Sequence, residues 1–489
     1  MPERSDSSLC PSIRPSKEDD RNLHGSQDPI VPNKPEKTSG LNDSEWESLG
    51  NEHNGSVDNG EQQEVFGTEE DADVHYRTMA WGYTISLGVL SLPSAVATIG
   101  LVPGLLLIFI LGLVATYTGY VIGQFKYAHP HLHTFADAMR LVGGPVLGVI
   151  AAIGQVLILV FIMGAHLSGF SIMMNVLTDH AFCSVGFGAL GLLICFLLDL
   201  PRTFKNVSYL SISSCISIVA AVLVAIVGIG IQKPDEGNIQ AVSKGIDLPT
   251  GMLPALNIIL SYAGHVGFFS FISEMRNPRD FSKALAVSIG FSTLFYMFVG
   301  VIIYYYAGPN IASPALGSAS PVVRKIAFGL AAPTIVIAGV INGHVAAKYV
   351  WVQFWRWKKQ ERTMGQNSVR SWGSWIVINA VLWVASWLIA EAIPSFYLLL
   401  GLISALFCGW FSFGLSGWFW LHLNRTRLTE NWKKVALAVL NISILALGLA
   451  ISGLGLYASG LKLHQGAGGE PFTCKNTYQP NKPAQGLSE

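Results

Sequence analysis

The chain has 489 residues, 51% of them hydrophobic and only 13% charged, with a mean hydropathy of +0.44. A soluble domain could not bury so much apolar surface, so the composition excludes an ordinary globular protein and points to a polytopic membrane protein in a lipid bilayer. The formal net charge of zero sums an acidic beginning and basic loops, and no nucleic-acid partner is expected from it.

Residues 1–75 are rich in Ser, Asp, Glu, Asn, Gly and Pro and poor in apolar residues. Such a segment cannot bury enough surface to offset the entropy of ordering, so it is expected to be a disordered acidic tail. It has no apolar core of a signal peptide, and its acidity argues against a mitochondrial presequence.

The first apolar run is Tyr76 to Val102, within which Ser86, Gly88, Ser91 and Pro93 fall in one short window. Proline cannot donate to the preceding turn. A helix broken at mid-depth leaves backbone groups that lipid cannot satisfy, so they must face protein or a ligand-filled cavity. From Arg77 onward about eleven apolar spans follow, taking roughly 20 residues as a crossing length. They lie near 77–100, 102–126, 145–175, 183–200, 207–231, 251–274, 282–307, 320–350, 372–393, 395–422 and 435–461. The membrane-spanning domain is thus expected over 76–462, with a short tail at 463–489.

Loop charge sets the orientation. With the first tail in the cytoplasm, the inner loops carry Lys126, Arg140, Arg202, Lys205, Arg276, Arg279 and Lys283. Later inner loops add Arg356, Lys358, Lys359, Arg362, Arg370, Arg425, Arg427, Lys433 and Lys434, whereas the outer loops offer little beyond Lys233 and Lys244. The N-terminus is therefore expected inside and the C-terminal tail outside. Of the six cysteines, only Cys183 and Cys474 would then meet the oxidising face, and a disulfide between them is one expectation of this orientation. No CxxC or metal-ligand spacing occurs, and no metal or other cofactor is expected.

The sixth span, residues 251–281, carries Gly264 and Gly267 around His265 in an otherwise apolar helix. A histidine at membrane depth is costly and usually faces a cavity or a partner. Interrupted helices at corresponding places in two halves are the sequence pointer to an inverted-repeat transporter and its binding site.

At this point the residues carry a family resemblance. Gly88-Val89-Leu90-Ser91-Leu92-Pro93 resembles the first-helix motif of the amino acid/auxin permease family. Ala263-Gly264-His265, followed by Glu274-Met275-Arg276-Asn277-Pro278-Arg279-Asp280-Phe281, is similar to that family's sixth-helix region with its E-M-x-x-P-x-x-F signature. The likeness extends over about 77–461, and within the family it is nearest in character to the neutral amino acid permeases of filamentous fungi. It implies an all-α, LeuT-like fold of two five-helix inverted repeats plus one extra helix. It also implies proton-coupled uptake of neutral amino acids.

A zwitterionic amino acid needs positive potential for its carboxylate, acceptors for its ammonium and a shaped apolar pocket. Unpaired N–H groups where the first helix restarts suit the carboxylate, which points to the backbone of Ser86, Leu87, Gly88, Val89 and Leu90. Unpaired carbonyls near Tyr262, Ala263 and Gly264 suit the ammonium. Phe268, with Ile158, Ile162 and Gly339 at similar depth, is the expected side-chain pocket. His265 is the first candidate for proton coupling, since an imidazole titrates near neutral pH. His166 and His344 read more readily as structural. Asp199 and Glu274 are expected to pair with Arg202, Arg276 or Arg279 as a gate or anchor. Sodium coupling is the mechanistic rival. Its usual hydroxyl ligands are missing from Ala338–Lys348, where only Asn342 offers a side-chain carbonyl.

An enzyme is not expected. There is no Gly-rich phosphate loop, HExxH, Ser/His/Asp set or carboxylate cluster at a membrane face. A channel would show a repeated pore motif or a charged ring, and neither is visible. The expectation is a plasma-membrane, proton-driven importer of aliphatic and aromatic neutral amino acids. A vacuolar relative and a transporter-like amino acid sensor are the alternatives.

Overall fold

The computed structural model describes residues 87–202, 207–275, 277–360, 368–466 and 469–478. Ser86 and the acidic tail lie outside them, and with them the expectations placed there. Among the described residues every regular element is helical.

A 3₁₀ turn, Leu87–Ser91, leads into α1 (Leu92–Ile99). Pro93 sits in the first turn of α1, where its missing N–H has no helical partner to lose. Ser91 Oγ donates back to the Gly88 carbonyl at 2.9 Å and closes the turn locally. Gly100 then turns the chain with φ 98°, a left-handed value that a side chain disfavours. Its α-carbon also lies against the loop 241–243, where a Cβ would stand 2.7 Å from the Ser243 nitrogen.

α2 (Leu101–Ala128) and α3 (Phe135–Leu177) follow. Thr134 and Asp137 form a reciprocal capping box at the start of α3. Gly144, φ 82° and followed by Pro145, separates a short helix at the start of α3 from the spanning part, which is why the apolar run begins at 145. Then come α4 (Ser184–Asp199), α5 (Val207–Gln232), α6 (Leu248–Ser261), α7 (Phe268–Glu274) and α8 (Phe281–Ala307). α9 (Pro321–Trp357) and α10 (Val369–Ala392) precede the tenth span. That span runs as α11 (Phe396–Ile403), a wide π-helical stretch (Ser404–Gly414) and α12 (Leu415–Leu423). α13 (Trp432–His464) is the last span.

Nine of the described helices, counting α6–α7 and α11–α12 as single spans, are long and apolar enough to cross a bilayer. Leu87–Ile99 and Ser184–Asp199 are the shorter apolar ones, and together they give the eleven expected spans. Corresponding members of the two five-span halves pack on one another: α1 on α6, α2 on α8, α3 on α9 and α4 on α10. Pairing of like-placed spans accords with two halves related by an inverted repeat. The tenth span is the most enclosed, 83% buried in its apolar window, whereas α10 and α13 are 33% buried and turn most of their surface to lipid.

Cys183 and Cys474 are bridged, with Cα atoms 4.4 Å apart. The bridge lies at the end of the bundle opposite Lys126, Arg356 and Lys434, in keeping with the loop-charge orientation. More basic residues than expected stand at the disulfide end, Lys462 and Lys475 among them. Arg324 and Lys325 there are engaged: Arg324 Nη1 donates to Tyr478 Oη at 2.7 Å, and Lys325 pairs with Asp179 at 2.6 Å.

Candidate functional site

The sixth span breaks between Ser261 and Phe268. Tyr262 leaves the helix (φ −107°, ψ 8°), its side chain anchored to the Ile108 carbonyl at 2.9 Å and to Thr293 Oγ1 at 3.0 Å. The chain then makes tight turns, with the Gly264 N–H on the Tyr262 carbonyl at 2.9 Å, before the short 3₁₀ segment His265–Gly267. The interrupted first span lies directly on this break, because Gly88 faces Ser261.

Between the two breaks is a cavity of about 100 Å³, against the roughly 10–15 Å³ that one water molecule needs. Leu87 and Gly88 line it from the first span, and Leu260, Ser261, Ala263 and Gly264 from the sixth. Ile162, Ala165 and His166 come from α3, Ser211 and Ser214 from α5, and Ala338, Ile341 and Asn342 from α9. Leu400 and Ile403 close it from the tenth span. One histidine nitrogen at the cavity is fixed by backbone: His166 Nδ1 lies 2.9 Å from the Ile335 carbonyl, which orients the ring. Ser214 Oγ finds no protein partner among the described residues.

Of the expected site residues, Leu87, Gly88, Ala263 and Gly264 therefore meet at the cavity, together with Ile162. Val89, Leu90 and Tyr262 are buried just behind it, in the walls of the two breaks. Phe268 packs between the His265 and Phe281 rings, 4.8 and 5.3 Å away, rather than on the cavity. Gly339 supports the wall, since a Cβ there would stand 3.1 Å from His166 Cβ, whereas Ile158 is fully buried and does not line the cavity.

His265 is fully buried beside the break and turned towards α2. Its Nε2 lies 2.9 Å from Thr118 Oγ1 and 3.1 Å from the Ala115 carbonyl. A carbonyl can only accept, so Nε2 carries the proton in this arrangement. The ring ties the restart of the sixth span to α2, one layer away from the cavity.

Asp199 corrects an expectation. It does not pair with Arg202, whose guanidinium stacks over Trp372 at 4.0 Å and Trp351 at 5.3 Å. Its carboxylate instead contacts His344 Nδ1 at 3.1 Å and Trp383 Nε1 at 3.0 Å. The reason is depth: at the end of α4 the carboxylate has no exposed surface, and the polar groups within reach come from α9 and α10. The Glu274 side chain and Arg276 lie outside the described residues.

Ser211, Ser214 and Ser261 were not singled out from sequence. The first two sit in Ser211-Ile-Ser-Ser214-Cys-Ile-Ser217, a polar density at one end of an apolar span that marks a protein-facing or cavity-facing patch.

A profile of the transmembrane amino acid transporter protein family matches residues 81–460. The N amino acid transport system protein of Neurospora crassa is 36% identical over 368 residues, which cover 73% of this chain and 77% of that protein. A transmembrane transporter of Fusarium pseudograminearum is 31% identical over 386 residues, 75% and 79% of the two chains. Among solved structures, MhsT in complex with L-phenylalanine is similar in fold, with a TM-score of 0.52 at 13% identity, over 82% of this chain and 98% of that one.

Proposed function

The chain belongs to the transmembrane amino acid transporter family, and from that premise we propose that it imports neutral amino acids across the plasma membrane in symport with protons. One observation carries the neutral preference. Among the described residues lining the cavity there is no Asp, Glu, Lys or Arg. A cationic or anionic substrate side chain would be desolvated there without a counter-charge, at a cost of several kcal/mol. An apolar side chain meets Leu87, Ile162, Leu260, Ile341, Leu400 and Ile403 instead. The zwitterionic head is assigned to the backbone at the two breaks, around Leu87 and Gly88 for the carboxylate and Ala263 and Gly264 for the ammonium.

Proton coupling is supported by His265, a fully buried histidine behind the break of the sixth span. The basic loops at one end favour a cytoplasmic N-terminus. The test is uptake of labelled leucine into proteoliposomes under an imposed pH gradient, with and without sodium. Accumulation with the pH gradient alone, competed by phenylalanine and not by lysine or glutamate, is the expected result. Accumulation only with sodium would overturn proton symport. Leucine binding without transport would make the protein a sensor.

A further inference from the structure

We propose that Asp199 and His344 form a second proton-binding element, enclosed between α4, α9 and α10 beside the substrate cavity; the proposal rests on the proton-symport reading. Both carboxylate oxygens are held from neighbouring spans, Oδ1 by His344 and Oδ2 by the Trp383 indole. Gly343 makes the approach possible. A Cβ there would stand 2.8 Å from Asp199 Oδ2 and 2.8 Å from the Trp383 ring. A carboxylate and an imidazole in contact share one proton more readily than either holds a charge alone in a dry interior. Paired ionisable groups within membrane spans are found along ion pathways and in proton relays.

The pair is also next to the cavity. α9 lends Ile341 to the cavity wall and His344 to the pair, three residues or about 4.5 Å further along the axis. Trp383 bridges the remaining distance: its ring edge packs beside Gly339, on which His166 rests, while its N–H reaches Asp199. Among the described residues the other titratable or charged groups around the pair are few. Cys195 lies buried one turn earlier on α4, and Arg202, just beyond the end of α4, stacks on Trp351 and Trp372. α3 contributes His166, and α9 contributes Lys348 one turn beyond His344. Trp375 of α10 meets the His344 ring at 5.3 Å.

The step is the uptake of one proton. With Asp199 ionised and His344 neutral the pair carries one negative charge. A proton arriving from the cavity bonds to an imidazole nitrogen or a carboxylate oxygen and neutralises it, with no change in oxidation state. Release towards the end bearing Arg202 restores the charge. Asp199 and His344 do not touch the amino acid, so their effect on transport passes through the proton.

The experiment uses the full chain in proteoliposomes, with Asp199→Asn, His344→Gln and Trp383→Phe. Asp199→Asn is expected to keep leucine counterflow within twofold of the parent, lose at least tenfold in accumulation driven by a pH gradient, and flatten the dependence on external pH. Trp383→Phe removes a donor to the charged carboxylate, which raises its affinity for the proton. It is expected to move the midpoint of the pH profile upward. Should Asp199→Asn fail to fold, His344→Gln and Trp383→Phe carry the same readouts. Parallel loss of counterflow and accumulation with an unmoved pH profile would overturn the proposal and leave the pair a structural tie. So would variants that keep both. If the parent itself ignores the pH gradient, proton symport falls, and this proposal with it.

Discussion

Gly88 and Ser261 meet backbone to backbone where the first interrupted span crosses the sixth: a Cβ on Gly88 would stand 2.8 Å from Ser261 Oγ and 3.0 Å from Ser261 Cα. The contact brings both breaks onto one cavity, and Ser261 is itself held, through its carbonyl, by the Tyr296 hydroxyl at 3.1 Å. A rotamer change cannot relieve a clash with an α-carbon. Overpacking of this kind costs about 1–3 kcal/mol. Gly88→Ala is therefore expected to reduce leucine uptake about tenfold, and Gly88→Val to abolish it, with both variants inserted in the membrane at normal levels. Near-normal transport by Gly88→Val would remove this crossing from the mechanism.

His166 and His265 are expected to fail differently. His166 lines the cavity, and losing one hydrogen bond to substrate costs about 1.4 kcal/mol, or roughly tenfold in affinity. His166→Ala should raise KM by that factor while leaving the ratio of coupled accumulation to counterflow unchanged. His265 lies off the cavity, between the break and Thr118. His265→Ala should lower accumulation more than counterflow. If the two histidines exchange these phenotypes, their assignments are reversed.

The disulfide does not act alone. Residues 469–478 cross the disulfide end of the bundle, where the Ser184 hydroxyl donates to the Lys475 carbonyl at 2.7 Å and Tyr478 Oη donates to the Gly317 carbonyl at 2.7 Å. Cys183→Ser is expected to cost about 2–4 kcal/mol through the long closed loop, yet leave the strap partly seated by these bonds. A lowered melting temperature with uptake largely retained is the expected result. An unchanged melting temperature, with the parent's bridge verified by thiol labelling, would show that the bond carries no stability.

The loop between α2 and α3 predicts a pH dependence of stability. Burial, then the neighbouring His131 and His422, hold the His129 imidazole below its ordinary value of 6.5. Burial, then Lys126, does the same for His133 against the opposing pull of Asp137. A depressed folded value means that the unfolded chain takes the proton first as pH falls. The stability is present above pH 6.5 and lost as pH falls below it towards the folded values. The melting temperature should drop between pH 7.5 and 5.5, and the double variant His129→Asn, His133→Gln should drop less. An identical slope in both proteins would exclude these two groups as its source.

Much of this architecture is written along the chain. Apolar run lengths mark the spans, Gly88 to Pro93 and Gly264 to Gly267 mark the interruptions, and loop charge separates Cys183 and Cys474 from the other cysteines before any coordinates are known. These features are legible because bilayer thickness and backbone hydrogen bonding act locally: a span must be long enough, and a break must contain residues that allow one.

The partners of each buried polar group are another matter. Successive residues on a helix point about 100° apart, so sequence spacing places Asp199 and Arg202 near one membrane face without saying which neighbour either will touch. Arg202 found tryptophan rings, and Asp199 found His344 and Trp383 from spans 145 and 184 residues away. Likewise Ser211, Ser214, Asn342 and His166 share depth with many residues, and only the rotation of α3, α5 and α9 against the two breaks turns them onto the cavity. The sequence by itself determined the number, order and interruptions of the spans. Only the tertiary packing decided which polar side chains face one another, because that depends on helix rotation and close glycine approach, set by all neighbouring spans together.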